Sequence, residues 1–450
     1  MASRSLASFA FACLFAASAA AASPPQAAPA DLSGEWELTT NVFGNPLAER
    51  LTLTVENGKI TGKSSGKDVT GTVEGDHVRF ESKDQDGTKN VYDGRLKDGK
   101  LSGTLTVSEE PWGETPAMTW TARKMTDAGK PAAPRTLDFE PKEFHRVFSS
   151  TIPPVLHIWP GDTVRTWTID AGGVDSKGKT RVLGGNPQTG PFYVEGAMPG
   201  DTLAIHIEKI RLNRPTAISD DGLVWRALTA DYASEHKDNN FNNVVWNLDL
   251  EKGVARPAKP TERLKDLAVP VRPMLGCIGV APGFGGAPRQ TGDSGRIGGN
   301  MDFNEIGEGA TVYLPVGQPG ALLYVGDGHA LQGDGELNGN ALETSLDVEF
   351  TVDVVRDKRI PGPRIENAEY LMSMGLAGSL DDAFKEATSG LAAWLEKDYG
   401  LTGPEAAILL GATIEYEISE VADRSAGIVA KVKKKYLPPA SSAPEAKPKS

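Results

Sequence analysis

From Leu32 to about Lys124 the chain is written as short alternating runs, each cut by a turn. "GEWELTT", "RLTLTVE", "KITGKSS", "VTGTVEG", "HVRFESK", "VYDGRLK", "KLSGTLTV" and "MTWTARK" are separated by pieces such as "NGK", "GD" and "DGK". Period-two alternation sends successive side chains to opposite faces of a strand, and Asn-Gly or Asp-Gly supplies the positive φ that a tight hairpin needs. Strands this short and this regular bury their apolar positions by forming a small antiparallel barrel or sandwich. They carry no clustered His, Cys or carboxylate set, and His77 reads as a surface residue at a strand start.

What precedes and follows these strands sets the organisation. "MASRSLASFAFACLFAASAAAASPP" has one arginine, an apolar run and a small-residue stretch, the order of a secretory signal cleaved near Ala20 to Ser23. Residues 1–22 are therefore expected to direct export to the periplasm or the exterior, and 23–31 to be a Pro/Ala-rich spacer. Loss of the leader would leave Cys277 as the single cysteine, so no internal disulfide is expected despite an oxidising destination. The barrel is expected at 32–124, a linker at 125–142, a large domain at 143–438 and a polar tail at 439–450. A formal net charge of -13 and the lack of a long Lys/Arg cluster argue against a nucleic-acid partner. Beyond the leader no run of 18 apolar residues occurs, so no membrane span is expected.

In the large domain, "DTVRTWTID" and "DTLAIHIEKIRL" each follow a Pro-Gly-Asp-Thr turn, at Pro160 to Thr163 and Pro199 to Thr202. "TVYLPV", "ALLYV" and "LDVEFTVDVV" are further strands. Helices come late. "SLDDAFKEATSGLAAWLEKDYG" has a capping Ser379, acids in its first turn and a stop at Gly400, and Thr402 with Glu405 has the spacing of a capping box. The fold class is mainly β with α+β character: a small N-terminal barrel, then a β-rich domain ending in a helical pair.

The chemistry concentrates in "GDGHALQGDGEL", Gly326 to Leu337, directly after the apolar "ALLYV". A strand ending in Gly-Asp-Gly-His puts Asp327 and His329 at a terminus, where loops present function. Gln332, Asp334 and Glu336 follow on a glycine-relaxed loop, and "GGNMDFNE" adds Asn300, Asp302 and Glu305. Hard oxygen ligands plus one imidazole suit zinc or a similar divalent ion with an open position, or calcium where carboxylates dominate. A serine elbow, a P-loop and a dinucleotide fingerprint are all absent. Cys277, in the apolar "MLGCIGVAP", reads as a buried thiol rather than a nucleophile.

The run "GGNMD…YLPVGQPGALLYVGDGHALQGDGELNGNALET" resembles the signature of the acetamidase/formamidase family, whose members hydrolyse small amides to a carboxylate and ammonia. "NPQTGPFYVEGAMPGDTLAIHI", "PMLGCIGVAPG" and "IEYEISEVADRSAGIVAKV" are similar to its other motifs, so the likeness spans roughly Pro153 to Leu437. "GEW" resembles the opening of a small lipocalin-like barrel. The family resemblance implies a β-rich fold with a divalent metal site and homodimers or larger homo-oligomers. The positions that match the family are Glu195, Asn300, Asp302, Asp327, His329, Asp334 and Glu336. On chemical grounds His329, Asp302 and Asp327 are assigned to metal, zinc first and calcium second. Glu336 or Glu195 is assigned to general base, with Asp334 among the catalytic carboxylates, and Asn300 and Gln332 to the small amide substrate. The alternative is a secreted binding protein with a structural metal and no turnover. The signal and barrel depart from the family's usual cytoplasmic, single-domain pattern.

Overall fold

A computed structural model describes residues 32–84, 87–108 and 115–440. The expected leader and spacer lie outside the described residues, as does the expected tail apart from its first two positions.

The alternating strands close into an eight-stranded antiparallel barrel in simple sequence order. Closure comes from Gly34–Val42 pairing with Met118–Lys124, with Trp36 opposite Lys124 and Asn41 opposite Thr119. Alternation decides which residues go inside: Met118, Trp120 and Ala122 are buried while Thr119, Thr121 and Arg123 face out. The interior is packed with side chains, among them Trp36, Leu38, Leu51, Phe80 and Leu101. Phe80 stacks on Tyr92 at 4.7 Å, and Trp120 meets both rings edge-on. Side chains fill a barrel of this strand number, leaving its lumen as core.

The rest of the chain is built on two large sheets. A nine-stranded sheet has Thr202–Leu212 near its centre, between Thr311–Pro315 and Leu346–Val355. An eleven-stranded sheet is organised around Leu323–His329, which pairs with Met274–Val280, Gln188–Val194 and Glu343–Thr344. One continuous core joins them, with Ile205, Val312 and Val352 from the first and Ile278 and Val325 from the second. Met274–Val280 is buried at every position, and so is Leu323–His329, as expected of central strands covered on both faces.

The helical pair packs on the outer face of the nine-stranded sheet. Leu380–Tyr399 starts where Ser379 Oγ accepts from Asp382 N, buries Ala383, Ala387, Leu391, Trp394 and Leu395, and ends at Gly400 in the left-handed region at φ 67°. Gly403–Thr413 follows, its first turn closed by Thr402 N and Oγ1 both donating to Glu405 Oε2. The barrel is tied to the sheets by charge pairs. Arg50 Nη2 lies 2.5 Å from the buried Asp201 Oδ2, and both Arg356 Nη atoms lie 2.9 Å from Glu35.

Candidate active site

The Leu323–His329 strand begins in the hydrophobic core and finishes as chemistry. Leu323, Val325, Asp327 and His329 share a parity; the first two belong to the core, and the last two are buried polar groups. Met274–Val280 lies alongside, with Met274 opposite His329. Asp302 arrives just past the short Gly298–Asn300 strand, and its N–H and that of Met301 both donate to the Gly276 carbonyl. Glu343, opposite His329 in the next strand, brings a further carboxylate.

Ligand atoms of Asp302, Asp327 and His329 lie within 4.8 Å of one another, as do those of His329, Glu336 and Glu343. His329 Nε2 is 3.1 Å from Glu343 Oε1, 3.5 Å from Asp327 Oδ2 and 4.0 Å from Asp302 Oδ1. It forms no directed hydrogen bond, and Asp302 Oδ1, Asp327 Oδ1 and Glu343 Oε2 are equally buried and unpartnered. Four such orphans within one buried acidic cluster call for an occupant. Room for it comes from Gly276, where a Cβ would stand 2.5 Å from both Asp302 Oδ1 and Asp327 Oδ2.

Amides hold the ring and carboxylates in place. Gln332 Nε2 donates to the Asp302 and Ser419 carbonyls, which leaves Oε1 to accept from His329 Nδ1 at 3.0 Å. That bond fixes the tautomer, so neutral His329 turns the bare lone pair of Nε2 to the carboxylates. Asn300 Nδ2 donates to Asp302 Oδ2 at 2.5 Å and to Asp423 Oδ2 at 2.7 Å, and its Oδ1 accepts from Asn186. Asn186 also reaches Asp327 Oδ2 at 3.2 Å. The backbone is strained at the same residues: Asn186, Asp302, Asp327 and Glu336 all have positive φ, between 40° and 60°.

The electrostatics are one-sided. Among the described residues no Lys or Arg pairs with Asp302, Asp327, Glu336 or Glu343. Burial, reinforced by neighbouring carboxylates, pushes Asp302 and Glu336 well above the usual carboxylate range. Burial likewise raises Glu343 to about 7 and Glu420 to about 8. At His329 burial opposes the charge, but the Glu343 and Asp327 carboxylates outweigh it and hold the ring well above 6.5. Such a cavity is satisfied by protons or by a cation.

Expectation and structure part company at several residues. Glu195 lies far from this cluster. Its strand meets Gly326 at Gln188, and Glu195 is seven residues further on, about 20 Å at the usual rise per residue. There its Oε1 accepts from His157 Nδ1 at 2.7 Å, and it lines a cleft between barrel and sheets. Asp334 is exposed and accepts from Asn304, while Glu336, two residues on, is buried. Asn300 and Gln332 have every amide atom engaged with protein, which makes them positioning groups for the acids and the ring. Glu343, Asn186, Glu420 and Asp423 join the site without having been expected there. All four lie within motifs quoted above, but only sheet register and loop closure bring them to the His329 cluster.

Comparison with known proteins fits this arrangement. The Acetamidase/Formamidase family profile matches residues 286–431, which include Asn300, Asp302, Asp327, His329, Glu336, Glu343, Glu420 and Asp423. An acetamidase of Yersinia enterocolitica superposes with a TM-score of 0.58 at 30% identity, covering 68% of this chain and 94% of that one. The chain belongs to the acetamidase/formamidase family. Family membership makes it an amidohydrolase. A Bacillus halodurans acetamidase is similar at 28% identity and TM-score 0.56, over 67% of this chain and 98% of its own. The formamidase of Methylophilus methylotrophus is 23% identical over 354 residues, 62% of this chain and 86% of the formamidase. Acetamidase/formamidase relatives thus account for about two thirds of the chain.

Proposed function

We propose that the chain hydrolyses a small linear amide, of the formamide or acetamide class, to its carboxylate and ammonia at the His329 cluster. A divalent ion would be held by His329, Asp302 and Asp327 with Glu343 beside them, zinc before calcium because an imidazole is in the set. The observation that carries this reading is the convergence of the His329, Asp302 and Asp327 ligand atoms within 4.8 Å of one another beside Gly276. Unpartnered buried oxygens and an imidazole with its second nitrogen pinned suit such an ion. When bound, it would supply Lewis-acid polarisation of the amide carbonyl.

The chain's own groups do the rest. Amide nitrogen leaves poorly unless it is protonated, so the reaction needs a group that takes a proton from water and returns it to nitrogen. Glu336 and Glu343 qualify: both are buried, and Glu343 titrates near neutrality. Gln332, Asn300 and Asn186 hold the ring and acids in register. We also propose, from residues 1–22 alone, that the protein works outside the cytoplasm.

The test is ammonia release from formamide and acetamide by the mature protein, before and after chelation, with metal determined on the same sample. Activity lost on chelation and restored by zinc is expected, and His329→Ala should remove both metal and turnover. Turnover indifferent to chelation sinks the metal assignment. Full metal occupancy without turnover on a panel of amides would instead make the protein a binder.

A further inference from the structure

Arg364 is an anomaly remote in character from the acidic cluster. It starts the Arg364–Glu366 strand under the Leu380–Tyr399 helix and is 3% exposed. A guanidinium cannot shed its charge near neutrality, so a buried one normally meets a carboxylate or a full set of carbonyls. Among the described residues Arg364 has no ion pair and no side-chain hydrogen bond, and its Nε is buried and unpartnered. Its close favourable contact is the Trp394 ring, 4.8 Å from the guanidinium carbon, and Asp398 adds a longer-range attraction without touching it. Stacking of this kind offsets less than burying the ion costs. Burial accordingly pulls the guanidinium down to about 10.

The side chain lies between two cavities. The smaller, of about 200 Å³, also contains Asp398 and Glu366, and both acids are already held by lysines, at 2.5 Å by Lys358 and 2.9 Å by Lys434. The larger, of about 420 Å³, is different. Met374, Leu376, Pro363 and Ala393 line its body, and Arg296 stands exposed at its rim. Its single acid, Glu386, accepts from the backbone N–H of Leu376. Lys385 also lines it but is exposed and paired with Asp381, so a cavity in the range of about 300–1,000 Å³ with largely apolar walls and one buried, unpaired charge has the make-up of a small-molecule site. No residue of the His329 cluster lines it.

We propose that this cavity binds an organic carboxylate with an apolar body, its carboxylate on the Arg364 fork and its chain against Met374 and Leu376. The planar guanidinium matches a carboxylate in two parallel hydrogen bonds, and the apolar walls leave a bare inorganic anion without contacts for most of the volume. The ligand supplies the directly paired counter-charge, where the fold offers only the longer-range attraction of Asp398.

The experiment is calorimetric titration of the full protein with octanoate, 1-octanol and inorganic phosphate, repeated on Arg364→Met. Octanoate is expected to bind clearly tighter than either of the others. Arg364→Met is expected to weaken octanoate by about 10–100-fold, the range for losing a charge-assisted hydrogen bond, while its amide hydrolysis stays at the wild-type rate. Ala393→Phe fills the cavity from the helix side and leaves Arg364 in place, so it should abolish octanoate binding even if the arginine variant folds poorly. Equal binding of octanol makes the cavity a plain apolar pocket and overturns the proposal. Phosphate binding as tight as octanoate, octanoate binding that survives both variants, or no octanoate binding at all also overturns it.

Discussion

Gly276→Ala asks whether the space between the acids is functional. The added Cβ would stand 2.5 Å from Asp302 Oδ1, 2.5 Å from Asp327 Oδ2 and 2.8 Å from His329 Cε1. Ordinary contact begins near 3.4 Å, so each carboxylate oxygen must retreat by about 0.9 Å, the difference between the two distances. Metal–ligand distances tolerate about 0.2 Å, so a displacement several times larger removes ligands from the coordination sphere. Disturbing even the supports of a ligand costs about 10–100-fold in metal affinity, and here two ligands are struck directly, so a loss of at least about 100-fold is expected. Overpacking adds about 1–3 kcal/mol of destabilisation. The assay is zinc affinity by chelator competition, with ammonia release and urea unfolding on the same preparation. Gly333→Ala is the control, since nothing lies within 4 Å of a Cβ there although the residue is next to Gln332, which holds His329. Full metal loading and normal turnover in Gly276→Ala, or equal losses in Gly333→Ala, would refute the reasoning.

The remaining expectations follow from other parts of the fold. Glu343 and Glu420 titrate near 7 and 8 when folded and near 4.5 when unfolded, so the folded state binds the extra protons. The stability of the metal-free protein should be fully present below pH 4.5 as far as these groups are concerned, and should fall as pH rises through 7 and 8. At roughly 1.4 kcal/mol per pKa unit the loss is on the order of several kcal/mol. Urea unfolding against pH reads it, and an unchanged slope in Glu420→Gln counts against it. Arg50→Ala strands the 1%-exposed Asp201 and should cost about 3 kcal/mol, because two backbone N–H donors to that carboxylate remain. Faster amide exchange at the barrel strands should accompany the loss, and a change below about 0.5 kcal/mol would show the tether to be idle. Cys277 is fully buried, donates to the Thr291 carbonyl, and is held well above the usual thiol range by burial. Thiol reagents should therefore inactivate slowly if at all, and Cys277→Ala should keep wild-type turnover; inactivation by stoichiometric iodoacetamide would restore a cysteine mechanism.

How much of this was readable in the chain varies by residue and for identifiable reasons. The barrel strands and both late helices declare themselves locally, through turns, alternation and caps whose physics lies within a few residues. Asp327, His329 and Asp302 were legible because glycines flank them at strand ends. Glu343 was not, because its approach to His329 depends on the register of two strands fourteen residues apart. Glu420 reaches the cluster through a bridge to Gly335, a contact made across 85 positions of sequence. Glu195 shows the opposite failure: its motif resembles the family's, but its strand carries it away from the site. Asp334 and Glu336 have the same parity, yet Gly335 and Glu336, at φ 83° and 48°, turn one outward and the other in. Composition could not signal those angles at aspartate and glutamate, where glycine would be the unstrained choice.

The four left-handed residues around the candidate centre also bear on the life of the protein before it acquires an ion. Strained backbone burdens Asn186, Asp302, Asp327 and Glu336, like-signed carboxylates add repulsion at the three acids, and a bound cation opposes only the repulsion directly. An unloaded chain therefore carries its strain and its charge repulsion together, at the segments that hold the candidate ligands. Local opening exposes those segments to proteases in proportion to how often they open. Occupancy of the centre would thereby decide which molecules persist, so that inactive copies are cleared in preference to working ones.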